Sequence, residues 1–146
     1  MASTSCPRHF SLNGRASLPA ARDFALAAGS VLRFWHLPEA RVQLLELAVA
    51  EMATNVCRHA YAGREGGPMI LELDLDDAGL RIALHDEGAP FDPAAVPERA
   101  QPDPADPSTW PEGGMGLALI RSAGRLSYAS RGGANCLSLR VEGPFG

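Results

Sequence analysis

Two stretches of alternating hydrophobicity constrain the fold of this 146-residue chain more than any other feature. In MILELDLD (69–76) the leucines fall on one side, and LRIALHD (80–86) repeats the pattern. Strict alternation is typical of a strand with one buried face. The Asp77-Ala78-Gly79 segment between the two stretches predicts an antiparallel hairpin. LSYAS (126–130) and CLSLRVE (136–142), separated by a glycine-containing turn, predict a second one.

Segments with helical periodicity precede the first hairpin and lie between the two hairpins. A proline in the first turn precedes residues 21–35, which predict a helix that is interrupted or ends near Gly29. Residues 39–61 follow a second proline and predict a longer helix, because apolar side chains recur there at the helical period. A short strand at 9–12 and a helix at 117–124 complete the pattern.

The order of these elements predicts the fold class. A strand, helices, a hairpin, a loop, a helix and a hairpin indicate an α+β, two-layer sandwich with helices on one face of a mixed, mainly antiparallel sheet. The length and the lack of repeats predict a single domain over residues 1–146. Residues 89–112 hold seven of the twelve prolines, and a loop of this length is typical of a functional segment.

Composition and charge exclude several classes of function. The net charge is −4 and the 13 basic residues are scattered, which argues against nucleic acid because phosphate binding needs a basic face. No apolar stretch is long enough for a membrane span, and no secretory signal begins the chain, so we expect a cytoplasmic protein. Neither the three cysteines nor the four histidines show the spacing of metal ligands.

A row of polar side chains interrupts the apolar pattern near the end of the second predicted helix. Glu51, Asn55 and His59 follow one another at four-residue steps, with Arg58 beside them. Residues four apart lie on nearly the same face of a helix, so these side chains form a ridge bordering the buried stripe. Taken alone, such a ridge is more often a solvated edge, and a position facing a cleft is the alternative.

Two further segments are candidates for a ligand site. Asp86 ends a predicted strand, and Gly88 permits a turn in which the backbone closely approaches a ligand, although Asp-x-Gly is also ordinary turn chemistry. Residues 112–117, EGGMGL, place three glycines directly before a helix, where free backbone N–H groups stabilise a phosphate. A hinge between loop and helix is the alternative for this segment.

The three segments together resemble a known family. A helix with an acid and an amide, then strand-Asp-x-Gly, a long lid and a Gly-x-Gly helix start resembles the GHKL ATPase superfamily. Within it, the Glu-x-x-x-Asn-x-x-x-His-Ala-Tyr pattern of residues 51–61 and the small size resemble the anti-sigma factor serine kinases of bacterial partner-switching systems. The resemblance extends over residues 9–142.

The resemblance implies a role for each candidate residue. Glu51 is implied as the general base that accepts the proton of a protein serine, and Asn55 as a ligand of Mg²⁺. Asp86 is implied to bind the amine of adenine, with Gly88 leaving room for the base, and residues 89–112 to form the ATP lid. The other implied nucleotide contacts are Arg58, His59, Gly114, Met115, Gly116 and Leu117.

The resemblance also implies a function. It predicts an anti-sigma factor that uses ATP and Mg²⁺ to phosphorylate a STAS-type anti-anti-sigma factor on serine, with a sigma factor or another target as second partner. Family members also suggest a homodimer formed through the first strand and the first helix. The alternative is a nucleotide-gated binding module with little or no kinase activity. The last hairpin of the family usually carries Gly-Thr, whereas here Ala134 follows Gly133. This difference and the weakly basic lid favour that alternative, whereas Glu51 argues against it.

Overall fold

The computed structural model describes residues 6–62, 64, 66–92, 114–143 and 145, with residues 114–117 described by their backbone alone. Most of the predicted lid, residues 93–112, therefore lies outside the described residues. Eight regular elements and one π-helical turn follow in chain order: β1 (Arg8–Arg15), α1 (Leu18–Phe34), α2 (Glu39–Asn55), the π turn (Val56–Ala60), β2 (Pro68–Asp76), β3 (Gly79–Asp86), α3 (Gly114–Ala123), β4 (Arg125–Arg131) and β5 (Ala134–Glu142).

The strands form one five-stranded sheet in the order β1-β2-β3-β5-β4. Both predicted hairpins are present, and the second one enters the sheet with β5 beside β3. Every pairing among the described strands is antiparallel, so the two-layer α+β prediction is confirmed while the parallel component of a mixed sheet is not found there. No described helix is both long and apolar enough to span a bilayer.

The core lies between the helices and one face of the sheet. The alternation predicted for the strands sends every second side chain into it, and removing each leucine-sized side chain from water contributes about 1.5–3 kcal/mol. The fully buried large side chains include Leu32, Leu45, Met52, Met69, Leu71, Leu73, Leu80, Ile82, Leu84, Ile120 and Leu139.

The first helix continues through Gly29, so the predicted interruption there is wrong. Gly29 is buried against α2, and a Cβ at this position would overlap the carboxylate of Glu46. The glycine therefore permits close packing of two helices. Arg33 then joins them by donating to Glu46 at 2.8 Å and to Glu39 at 2.9 Å, and the guanidinium lowers the pKa of the Glu39 carboxyl.

The second helix changes its winding before it ends. It is α-helical to Asn55, but the backbone N–H of Tyr61 donates to the carbonyl of Val56, five residues earlier, at 3.1 Å. The uniform helix predicted to residue 61 is thus wrong for its last turn. A π turn advances fewer degrees per residue than an α turn, and such turns are frequent at functional sites. Here it follows directly on the polar ridge.

Candidate functional site

A row of polar residues closes one end of the sheet's core face. The strand register places Asp86 of β3 opposite Asn135 of β5, and Asn135 opposite Ser130 of β4. Asp86 and Asn135 point into the core and are 5% and 2% exposed. A buried carboxylate and a buried amide are stable only if their hydrogen bonds are made.

Those hydrogen bonds are made within the row. The amide nitrogen Nδ2 of Asn135 donates to Asp86 Oδ1 at 2.7 Å and to the Gly88 carbonyl at 2.9 Å. The Gly88 N–H donates to the same Asp86 oxygen at 2.9 Å. Ser130 donates its hydroxyl to Asn135 Oδ1 at 2.6 Å, which sets the orientation of the amide. Within the described residues, Asp86 Oδ2 accepts no hydrogen bond, so this oxygen can accept one from an N–H or O–H group of a ligand.

The turn after Asp86 packs closely against the π turn. The N–H of Ala89 donates to the carbonyl of Ala60 at 2.7 Å. A Cβ on Gly88 would lie 2.6 Å from the Ala60 carbonyl carbon, closer than real Cβ atoms approach. Glycine is therefore required here by the approach of two backbones, which agrees with the predicted turn at Asp86-x-Gly88.

Tyr61 ties the same turn to the strands. Its hydroxyl donates to the Pro68 carbonyl at 2.6 Å and accepts from the Glu87 N–H at 2.8 Å. Burial raises the pKa of the Tyr61 phenol, and the nearby carboxylates of Asp86 and Glu87 raise it further, so the hydroxyl stays protonated and can donate. The end of the second helix is thereby fixed to the turn that carries the buried carboxylate.

A cleft opens above the polar row. Its walls are mainly apolar, and a carboxylate and a carboxamide enter it from two different elements. Phe91 is held on one side by a hydrogen bond from its N–H to the Tyr128 hydroxyl at 3.0 Å. The described residues that line the cleft are Asn55, Val56, Ala60, Asp86, Phe91, Tyr128 and Leu137.

The structure brings some of the predicted site residues together and leaves others apart. Asn55 and Asp86 both line the cleft, and Glu51 lies half-buried one helical turn before Asn55 without lining it. Arg58 and His59 are exposed, and the His59 ring stacks on Phe91 with 4.1 Å between centroids and an interplanar angle of 18°. His59 therefore covers the outer side of a cleft wall.

The glycine-rich segment is described in part. Gly114, Met115, Gly116 and Leu117 form the first turn of α3, and their side chains lie outside the description, as do residues 112 and 113. Their predicted contact with phosphates remains a prediction, as do the roles predicted for Glu51 and Arg58.

Sequence reasoning missed Asn135 as a site residue. Its side-chain amide donates to Asp86 and holds that carboxylate in place. A signal was present in the strand pattern, because Asn135 occupies the same alternation as Leu137 and Leu139. A lone amide on the apolar side of a strand indicates a buried polar contact. Tyr128, on the neighbouring strand, could have been found in the same way.

Comparison with known proteins identifies the family. Residues 14–141 match the family described as histidine kinase-like ATPase domain, and the chain belongs to this family. The predicted membership of the GHKL superfamily is therefore confirmed. A solved structure of the RsbU and RsbW domains of Rv1364c from Mycobacterium tuberculosis has the same fold, with a TM-score of 0.62 and 18% identity over 94% of this chain and 32% of that one.

Among individual proteins, the chain is similar to serine-protein kinases called RsbW. It is 40% identical over 83 residues to the protein of Halalkalibacterium halodurans, which covers 56% of this chain and 50% of the relative. It is 35% identical over 80 residues to that of Staphylococcus epidermidis, covering 53% and 50%. The matched segment thus spans about half the length of these relatives. The similarity agrees with the anti-sigma factor kinase family that the motifs indicated.

Proposed function

We propose that this chain binds ATP in the cleft and transfers its terminal phosphoryl group to a serine of a partner protein. The observation that carries the proposal is the buried carboxylate of Asp86, which is oriented by two donors at the floor of an apolar cleft. Adenine is a flat heterocycle with apolar faces and an exocyclic amine, and such a cleft supplies apolar walls and one fixed acceptor. Guanine in the same orientation would present its C6 carbonyl oxygen, instead of an amine, to this carboxylate.

The polar ridge fits the phosphate end of the nucleotide. Asn55 lines the cleft and has a carboxamide oxygen that a hard cation accepts, and Mg²⁺ that is shared with phosphates needs only one or two protein oxygens. When bound, this ion neutralises charge on the phosphates. Glu51, one turn earlier, would accept the proton of the attacking serine hydroxyl. Residues 114–117 form the first turn of α3, and their backbone N–H groups would contact the phosphates. Arg58 would contact them as well.

The proposed partners follow from the similarity to RsbW proteins. We infer an anti-sigma factor whose substrate is a STAS-type anti-anti-sigma factor, with a sigma factor or other target as the second partner, in the cytoplasm. Phosphorylation adds about −1.5 to −2 charges to the substrate surface, enough to disrupt an interface. A homodimer through the first strand and helix is supported by the place of β1 at one edge of the described sheet.

A nucleotide-gated binding module is the second candidate. The position of Glu51 outside the residues that line the cleft favours it, because a general base must reach the reacting hydroxyl. Such a module would need only the adenine contacts at Asp86 and closure around the nucleotide.

Binding and transfer assays on matched variants separate the two candidates. Wild-type protein is expected to bind Mg-ATP in preference to Mg-GTP, measured by calorimetry, and Asp86→Asn should abolish this preference while keeping the fold. Glu51→Gln should retain ATP binding but lower phosphoserine formation on a STAS-type substrate by about 10²-fold or more. Glu142→Gln is the control, because it replaces an exposed carboxylate on β5 by a carboxamide.

The outcomes are distinct. ATP binding by the wild type without phosphotransfer to any STAS-type protein encoded nearby would support the binding module. Failure to bind either nucleotide would contradict both candidates.

A further inference from the structure

A second group of polar residues lies on the opposite, solvent-facing side of the same sheet. His9 of β1 pairs in register with Asp74 of β2, and Glu72 lies two residues along the same strand. His85 of β3 stands next to Glu72. We call these four residues the solvent-face cluster. They are between 30% and 54% exposed, and they are separated from the cleft by the thickness of the sheet.

The imidazole of His9 lies between two carboxylates. Its Nδ1 is 2.6 Å from Asp74 Oδ1, and its Nε2 is 4.0 Å from Glu72 Oε2. One potential ligand atom from each of His9, Glu72 and Asp74 lies within 4.8 Å of the other two. Because three strands contribute to the cluster, the spacing of histidines along the chain gives no sign of it.

We propose that His9, Glu72 and Asp74 bind a divalent transition metal, with Zn²⁺ as the probe. One imidazole nitrogen and two carboxylate oxygens are donors that Zn²⁺ accepts, and three protein ligands leave a fourth position for water. The three candidate ligand atoms lie within 4.8 Å of one another, whereas the ligands of a tetrahedral ion with bonds of about 2.0–2.2 Å lie about 3.3–3.6 Å apart, so these exposed side chains must draw together by about 1 Å to bind one ion. His9 Nε2 and Glu72 Oε2, at 4.0 Å, are too far apart for a hydrogen bond.

His85 and Arg81 position the two carboxylates. His85 Nε2 contacts Glu72 Oε1, which turns the other oxygen, Oε2, towards His9. This nitrogen is buried and, within the described residues, makes the contact without hydrogen-bond geometry. Arg81 lies with its Nη1 3.9 Å from Asp74 Oδ2 and balances part of the negative charge. Such outer contacts hold metal ligands in a binding orientation.

A bound ion would join β1, the edge strand, to β2 through side chains as well as backbone. The site is independent of the nucleotide cleft, because His85 and Asp86 point to opposite faces of the sheet. Zinc binding is thus expected with or without ATP.

Titration of the untagged, metal-free full chain with ZnCl₂ tests the proposal. Calorimetry should give one ion per chain, and Co²⁺ in its place should give the visible absorption of a site with nitrogen and oxygen ligands. His9→Ala and Glu72→Gln should each weaken binding at least about tenfold, and His85→Gln about 10–100-fold if it positions Glu72.

His36→Asn is the matched control, because His36 is an exposed histidine outside the cluster. Its zinc affinity should equal that of the wild type. Thermal unfolding of each metal-free variant verifies that it is folded, and a given zinc concentration should raise the midpoint more in the wild type and in His36→Asn than in the other variants. Absence of zinc binding, or binding that survives both His9→Ala and Glu72→Gln, would overturn the proposal.

Discussion

Two neighbouring residues of β3, His85 and Asp86, show how differently the two faces of this sheet treat polar groups. Asp86 faces the core, is 5% exposed, and accepts hydrogen bonds of 2.7 and 2.9 Å from fixed donors. His85 lies on the solvent face, among side chains whose ion-pair distances extend to 3.9 and 4.0 Å. A buried group depends on partners within the protein, whereas the partly exposed side chains of His9, Glu72 and Asp74 can also use water. The core face is therefore rigid and the solvent face adaptable, and mutations should affect them unequally.

The largest effect is expected from Asn135→Leu. The substitution keeps the size of the side chain but removes the amide that donates to Asp86 and Gly88, so a buried carboxylate loses a donor. We expect a loss of about 3 kcal/mol in the free energy of unfolding, measured in urea, together with loss of nucleotide binding. Ser138→Ala, on the solvent face of the same strand, should cost less than about 0.5 kcal/mol. Equal costs for the two variants would contradict the contrast between the faces.

Gly88→Ala should have the next largest effect. The added methyl group would overlap the Ala60 carbonyl, so the turn must move away from the π turn and take Asp86 with it. Overpacking of this kind costs about 1–3 kcal/mol. Chemical denaturation measures the loss, and the neighbouring exposed substitution Glu87→Ala should leave stability nearly unchanged. A fully stable Gly88→Ala protein would show that the turn is mobile.

Tyr61→Phe should have a moderate and pH-dependent effect. Removing the hydroxyl leaves the Glu87 N–H and the Pro68 carbonyl without their partner, at a cost of about 1–2 kcal/mol near neutral pH. The folded-state pKa of Tyr61 lies above the unfolded value of about 10, so its neutral form stabilises the fold below that pH and the contribution is lost as pH rises through the folded pKa. Between pH 9 and pH 12 the free energy of unfolding should therefore fall more steeply with pH in wild type than in Tyr61→Phe, as measured by chemical denaturation. Parallel curves would contradict the assignment.

The smallest effect is expected on the solvent face. In metal-free protein, His9→Ala removes contacts to the partly exposed carboxylates of Asp74 and Glu72. Their loss should lower the free energy of unfolding by less than about 1 kcal/mol. The difference from wild type should shrink further in 1 M NaCl, because salt screens exposed charges. Urea unfolding at low and high salt measures both quantities. A cost comparable to that of Asn135→Leu would show that the solvent-face cluster is as rigid as the core row.

The regular parts of the fold could be predicted because they depend on local patterns. Alternating leucines predicted β2 and β3, and the helical period predicted α2 to within a turn. The continuation of α1 through Gly29 could not be predicted, because the glycine is explained by Glu46 on another helix. The π turn was equally hidden from local patterns, and its last residue, Ala60, packs against Gly88, which is distant in sequence.

The residues of the candidate site could be predicted only where they belong to a local motif. Asp86 and Asn55 were selected by their motifs, and the cleft brings them together. Asn135 was not selected, because its role depends on β5 lying beside β3, a pairing that no local pattern reports. His59 shared the spacing of Glu51 and Asn55, but the π turn begins between Asn55 and His59 and the ring stacks outside the cleft on Phe91.

The position of β5 between β3 and β4 has a consequence for folding kinetics. The two hairpins are local and can form within microseconds, but the hydrogen bond from Asn135 to Asp86 joins residues 49 positions apart. Pairing β3 with β5 requires more chain entropy to be lost than forming either hairpin, so the contacts between β3 and β5 are expected to form after the hairpins. A nucleotide seated on this seam would hold late contacts together. It would therefore prolong the lifetime of the native state by slowing unfolding, while leaving the refolding rate almost unchanged.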